Sequence, residues 1–223
     1  MTGTEGDWRE SYPNYLGCCH SLDANVGRLI DTLADKGILE DTVFIYTSDH
    51  GSHFRTRNSE YKRACHDGCI HIPMIIRGPG FMGGRVIDSL ISLIDMPSTI
   101  LDIAGVPIPE HYQGRQLHTM MHDTSAVWDN EIFLQISESQ IGRCIRTAKW
   151  KYSVSAEGDG WNAPGSEVYY EEFLYDLEND PHERNNLVTD SAYAAIRAEL
   201  ADTLTWRMVA AGEDAPLILT TRL

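Results

Sequence analysis

The run Val43-Phe44-Ile45-Tyr46-Thr47-Ser48-Asp49-His50-Gly51 constrains this chain most. Residues 43–46 are β-branched or aromatic and carry no charge, the composition of a strand covered on both faces. The run then stops at an acid, an imidazole and a glycine. Ligands of open α/β sheets bind just beyond the carboxyl ends of the strands, which is where Asp49 and His50 are expected. Gly51 lets the backbone turn sharply there. A carboxylate beside an imidazole suits a divalent cation. The same tripeptide also serves as an ordinary strand-to-loop turn, since Asp and Gly are common turn formers.

The elements around it alternate. Tyr15, Cys19, Leu22, Val26, Leu29 or Ile30, and Leu33 recur at helical spacing, so a helix is expected over 12–36 with Gly37 ending it. Residues 51–71 show no period and concentrate His53, Arg55, Arg57, Lys62, Arg63 and His66. A polar loop after a buried strand is often functional, though a solvated loop has the same composition. Residues 72–76 read as a second buried strand, 77–80 as a turn and 86–91 as a third short strand. Asp95 is placed to cap a helix with Pro97 in its first turn, ended by Gly105 and Pro107. Strand, helix, strand, helix is the grammar of an α/β fold.

From about residue 128 the pattern changes. Residues 131–136, 141–146, 150–154 and 168–174 read as successive short strands, with a Gly/Pro-containing loop over 156–165. A helix over 191–208 follows, its inner face drawn from Ala194 or Ala195, Ala198, Leu200, Leu204 and Met208. The expected organisation is therefore an α/β unit over 1–125, then a small antiparallel sheet plus C-terminal helix over 126–223.

Composition narrows the partners. The 33 acidic residues against 18 Lys and Arg give a formal charge of −15, which disfavours nucleic acid because phosphate binding needs a basic face. No apolar run approaches the ~20 residues of a membrane span, and the polar N-terminus has no signal-peptide core. No compartment follows from this. Five cysteines (18, 19, 65, 69 and 144) form no recognisable disulfide framework. Cys65, His66, Cys69 and His71 raise a zinc site, but Cys-x₃-Cys without a second pair is a weak zinc frame, and buried free thiols are expected.

These segments together resemble the C-terminal portion of a sulfatase, in the alkaline-phosphatase-like superfamily. Residues 21–31 resemble the helix before the family's metal strand, and Thr47-Ser48-Asp49-His50-Gly51 its metal-binding motif. Lys62 follows Asp49 by thirteen residues, as the family's sulfate-contacting lysine does. Ile72-Pro73-Met74-Ile75-Ile76-Arg77-Gly78-Pro79-Gly80 is similar to the next strand and turn. Residues 93–105 are similar to the following helix, and 174–187 to the C-terminal signature. The similarity runs over residues 12–208, in one order throughout.

The resemblance implies part of an alkaline-phosphatase-like sheet with flanking helices, and a hydrolase of sulfate esters acting on a sulfated small molecule or glycan. In the family a hydrated formylglycine oxygen attacks sulfur and the alcohol leaves. A divalent metal, most often Ca²⁺ with Mg²⁺ or Mn²⁺ as substitutes, polarises the sulfate. Asp49 and His50 carry over as metal ligands and Lys62 as the catalytic cation on sulfate. His66, four residues after Lys62, is a candidate substrate contact if that segment is helical, and otherwise a satisfied loop histidine. His53, Arg55 and Arg57 are candidate sugar readers, while His71 reads as structural. The formylglycine motif Cys/Ser-x-Pro-x-Arg is absent from the sequence, as are the two early aspartates of the metal site. The chain therefore resembles an N-terminally truncated sulfatase, inactive by itself and prone to self-association or dependent on a complementary chain. A phosphonate or phosphodiester hydrolase of the same superfamily and an inactive fragment or pseudoenzyme are the alternatives.

Overall fold

The computed structural model of the chain describes residues 6–122, 128 and 130–220. In order, its main elements are α1 (Trp8–Asp35), β1 (Phe44–Thr47), α2 (Asp67–Ile70), β2 (Met74–Arg77), α3 (Asp95–Ile103), α4 (Leu117–His122), β3 (Glu131–Ser137), β4 (Ile141–Thr147), β5 (Trp150–Ala156), β6 (Val168–Asp176), α5 (Ala194–Ala210) and β7 (Leu217–Leu219). They form two compact units, one from Met1–Lys62 with His71–Trp128, the other from Arg63–Ile70 with Asp129–Leu223. No helix of the described residues is long and apolar enough to cross a membrane.

In the first unit, α1 ends at a Schellman cap. Gly37 has φ +68, its N–H donates to Ala34, and the Ile38 N–H reaches back to Leu33 at 3.0 Å. β1 and β2 pair antiparallel, with Ile45 opposite Ile76 and Thr47 opposite Met74. Ile45, Met74 and Ile76 pack on Phe81, Met96 and Leu117, which come from the turn after β2, α3 and α4. The other face is not covered as a doubly buried strand requires: β1 is only half-buried, and Ile75 is 61% exposed. The helical period of α1 is present, but none of its 28 residues is buried. Tyr15, Leu16, Leu22 and Leu29 lie at the surface.

Two local expectations change. Residues 86–91 form no strand. Their Leu90 carbonyl accepts instead from Arg115 Nη2 and Trp128 Nε1, so side chains satisfy the backbone without a ladder. Asp95 is the first residue of α3 rather than its cap. Its buried carboxylate accepts the Ser92 N–H at 2.8 Å and the Arg115 N–H at 2.7 Å, and Arg115 stacks on Trp128.

The second unit is a five-stranded sheet in the order β3-β4-β5-β6-β7. It is mixed, because β7 runs parallel to β6, whereas an all-antiparallel sheet was expected. One face carries Ile145, Tyr152 and Leu174 against α5, where Leu200, Leu204 and Met208 recur at four-residue spacing. Each of these apolar side chains contributes roughly 1.5–3 kcal/mol by burial. Ala194, Ala195 and Ala198 fall on the exposed side of the helix.

The opposite face carries Cys144, Lys151, Ser153, Phe173 and Tyr175, and the Arg63–Ile70 segment contributes to it. Lys151 has a fully buried side chain bonded to the Asp67 and Glu183 carboxylates. Glu183 also accepts the Asp67 N–H at 2.9 Å. Burial alone would pull this ammonium's pKa down, but the two carboxylates outweigh it and hold it raised. The 174–187 signature builds this clamp. Asp180 accepts the Arg184 and Asn185 N–H groups, and Asn186 accepts those of Leu174 and Val188, so Glu183 is presented inward. All five cysteines are free thiols; Cys65, Cys69 and Cys144 are buried, but Cys18 is exposed, against the expectation for it.

Candidate functional site

β1 delivers Asp49 and His50 just past its carboxyl end, as its sequence anticipates. Asp49 Oδ1 accepts the His50 backbone N–H at 2.9 Å, and this bond holds the Asp49 carboxyl below the usual carboxylate range. Ser48 Oγ donates to the His50 carbonyl at 2.9 Å, which tightens the turn.

The His50 ring is oriented by its neighbours. Nδ1 lies 2.9 Å from the Gly51 carbonyl, which only accepts, so Nδ1 bears the proton. The Nε2 lone pair then faces the Lys62 ammonium at 3.1 Å. Nε2 also lies 3.6 Å from Asp49 Oδ2. A carboxylate oxygen, a bare imidazole nitrogen and an ammonium thus meet at one exposed point.

The loop between His50 and Lys62 is shaped by bonds within itself. The His53 N–H donates to the Tyr61 carbonyl at 3.0 Å, and Phe54 and Arg55 take left-handed backbone conformations, with φ 50 and 58. Asn58 Nδ2 donates to the Lys62 carbonyl at 3.3 Å. Arg55 stacks on Tyr61, and its Nε lies 3.7 Å from Asp7. His53 is buried, and that burial pushes its pKa down, so it is a neutral interior ring.

His66 is placed differently. The segment from Lys62 to His66 is not helical, and α2 begins only at Asp67. His66 belongs to the second unit, where it is buried with Nε2 3.1 Å from the Tyr175 hydroxyl and its ring edge-on to Phe173. His71 is exposed.

The donor set of Asp49 and His50 fits two positions of a divalent-cation shell: an ionised carboxylate and a bare ring nitrogen. Two ligands do not close such a shell. Among the described residues no group of three or more His, Cys, Asp or Glu is placed to hold a metal ion. Sequence reasoning missed the Lys151–Asp67–Glu183 clamp; a lysine inside an otherwise uncharged strand was its only signal.

Comparison with known proteins agrees with this reading of the fold. The sulfatase family model matches residues 2–106, and the model for the C-terminal region of N-sulphoglucosamine sulphohydrolase matches residues 59–209. Mouse arylsulfatase K is 29% identical over 197 residues, covering 84% of this chain and 34% of its own length. The Xenopus laevis protein of that name is 31% identical, over 82% of this chain and 35% of its own length. The chain thus spans about a third of the curated relatives it matches.

Among solved structures, a putative sulfatase from Bacteroides fragilis superposes with TM-score 0.81 at 24% identity, covering 93% of this chain and 44% of its own. BT4656, solved with its substrate D-glucosamine-2-N,6-O-disulfate, gives 0.75 at 28%, covering 91% and 41%. The phosphonate monoester hydrolase of Agrobacterium radiobacter gives 0.67 at 25%, covering 85% and 39%. By its matched family models and its fold, the chain belongs to the sulfatase family and carries a C-terminal portion of the sulfatase structure.

Proposed function

We propose that this chain supplies one part of a sulfate-ester hydrolase centre, with Asp49 and His50 as two ligands of a divalent cation and Lys62 as the cation that meets the sulfate. The convergence of Lys62 Nζ and Asp49 Oδ2 on His50 Nε2 carries this reading. When bound, the metal, Ca²⁺ by the hardness of a carboxylate site, would polarise the sulfate oxygens. The chain's own residues do the rest of what is assigned here. Asp49 stays ionised under its His50 N–H bond, Gly51 keeps the imidazole in the Nδ1–H form, and Lys62 offsets negative charge developing on the transferred group.

The remaining ligands and the nucleophile are assigned to a preceding part of a sulfatase-type catalytic domain, a reading supported by the chain's spanning only about a third of the relatives it matches. That part is also the occupant proposed for the apolar face of α1 and the open edges of β1 and β2. The isolated 223 residues are accordingly expected to show no turnover. A sulfated saccharide is the proposed substrate class, supported by the sulfated glucosamine bound to BT4656.

The test is co-expression with the N-terminal part of a sulfatase catalytic domain bearing its formylglycine. Hydrolysis of glucosamine 6-sulfate should appear in the pair and in neither part alone. A pair that assembles but hydrolyses only phenyl phosphonates would replace this reading with the phosphonate hydrolase one. A pair that assembles and hydrolyses neither would make the chain a relic of the family.

A further inference from the structure

The second unit holds one large aromatic ring out to water. Trp161 is 67% exposed, in the loop between β5 and β6. The loop around it is fixed by its own bonds. The Asp159 carboxylate accepts the Trp161 N–H at 3.0 Å and the Asn162 side-chain amide. The Asp159 carbonyl accepts the Ala163 N–H at 2.9 Å, and the Pro164 carbonyl accepts from Arg143 Nη2 at 2.9 Å. Gly160 lies against the turn between β3 and β4, where a Cβ would collide with the Glu138 and Gln140 carbonyl oxygens. The backbone on both sides of Trp161 is therefore ordered before any ligand arrives, which lowers the entropic cost of binding there.

The two faces of the indole differ. Arg63 lies over the ring, its guanidinium carbon 5.5 Å from the centroid. Arg63 is itself held: its side chain pairs with Glu138, and its carbonyl accepts from Gln140 Nε2. Its backbone is left-handed, with φ 61, a strained state that persists in a non-glycine residue only where its surroundings enforce it. With one face backed by Arg63 and most of the ring in water, the opposite face is open. The indole Nε1–H donates to no group among the described residues.

An open aromatic face with an unused N–H at its edge selects a ligand that is apolar on one side and hydroxylated at its rim. The face of an aromatic ring is electron-rich and attracts polarised C–H groups. A pyranose with equatorial hydroxyls offers a flat face of axial C–H bonds and a rim of hydroxyls. Glu157 and Asn162, exposed in the same loop, suit those hydroxyls. Trp161 is the one large apolar side chain of residues 157–165, too little surface for a stable protein interface, which buries about 1,200–2,000 Å². Glu157 and Asp159 oppose an anionic lipid surface or a sulfated ring, and Glu138 already offsets the Arg63 charge. We propose that Trp161, backed by Arg63, is a stacking site for a neutral, gluco-configured pyranose. This site does not depend on the hydrolase reading.

The experiment is a titration of the full chain with cellotriose, followed through the indole N–H resonances of the ¹⁵N-labelled protein. The Trp161 signal, assigned by its loss in Trp161→Phe, should shift saturably with a millimolar Kd, while those of Trp150 and Trp206 stay in place. Saturation transfer to the sugar protons should vanish in Trp161→Ala, persist more weakly in Trp161→Tyr and be unchanged in Trp206→Ala, the control for another exposed tryptophan. Added NaCl should leave the affinity unchanged, because the ligand is neutral. Far-ultraviolet circular dichroism of each variant distinguishes loss of the site from loss of the fold. Cellotriose binding that survives in folded Trp161→Ala would overturn the proposal, as would a parent chain whose Trp161 signal does not respond to the sugar. A Trp161 signal that moves with protein concentration but not with cellotriose would make this face a contact between copies of the chain and would overturn it too.

Discussion

His50 Nε2 sits 3.1 Å from Lys62 Nζ, twelve residues along the chain, with Asp49 Oδ2 3.6 Å from the same nitrogen. The loop between them does not run straight. It is folded by the His53–Tyr61 backbone bond and by two left-handed residues, so Lys62 returns to the end of β1.

Replacing Lys62 by alanine should therefore act on chemistry rather than on folding. In the reconstituted enzyme the kcat should fall about 10²–10³-fold, the usual cost of removing one preorganised charge-stabilising group. The melting temperature of the chain should stay within a degree or so of the parent. Steady-state kinetics and a thermal melt check both halves.

Lys151→Met should have the opposite profile. It leaves the Asp67 and Glu183 carboxylates together with no ammonium between them, at a cost of about 3–5 kcal/mol. Urea unfolding of the chain measures this. The pH dependence has a fixed sign. The Lys151 pKa is raised in the folded state, so its contribution is complete below the ordinary lysine value and is lost as pH rises through the folded value. The difference in stability between parent and Lys151→Met should therefore shrink at strongly alkaline pH.

Thiol reactivity should divide the cysteines. Burial, reinforced by the neighbouring Cys65, pushes the Cys144 thiol well above its usual range. With Ellman's reagent at pH 8, Cys18 should react in the native chain, whereas Cys65, Cys69 and Cys144 should wait for denaturant. Fast native reaction of Cys144, identified by mass spectrometry, would contradict the burial described for it.

The apolar face of α1 predicts a solution behaviour. Leu22→Glu with Leu29→Glu should leave the helix intact, because both side chains are exposed. The pair should reduce self-association of the isolated chain and also prevent assembly with the complementary N-terminal part. Light scattering and co-purification report the two effects. Co-purification unimpaired by the double variant would remove α1 from the proposed interface.

Much of this arrangement was legible in the sequence, for physical reasons. β1 announced itself by four uncharged β-formers ending at Asp49, and α1 by its period and by Gly37. α5 showed its face through Leu200, Leu204 and Met208. Other features were hidden. β7 is three residues long and pairs parallel to β6, so no alternation or turn marks it. Residues 86–91 have strand composition but find side-chain donors instead of a ladder. The spacing of Lys62 and His66 suggested one helical face, but the chain is not helical there, and His66 packs on Phe173 and Tyr175. The Lys151 clamp joins residues 84 and 32 positions apart, beyond the reach of any local pattern.

The central claim is that Asp49 and His50 act together as cation ligands beside Lys62. The most direct measurement is the relaxation of assigned side-chain resonances as Mn²⁺ is added to the chain at neutral pH. Selective broadening of His50 and Asp49, abolished by Asp49→Asn and reversed by excess Ca²⁺, is the predicted result. If His50 stays sharp, or broadens equally in Asp49→Asn, the two residues do not share a cation and the proposed centre is wrong.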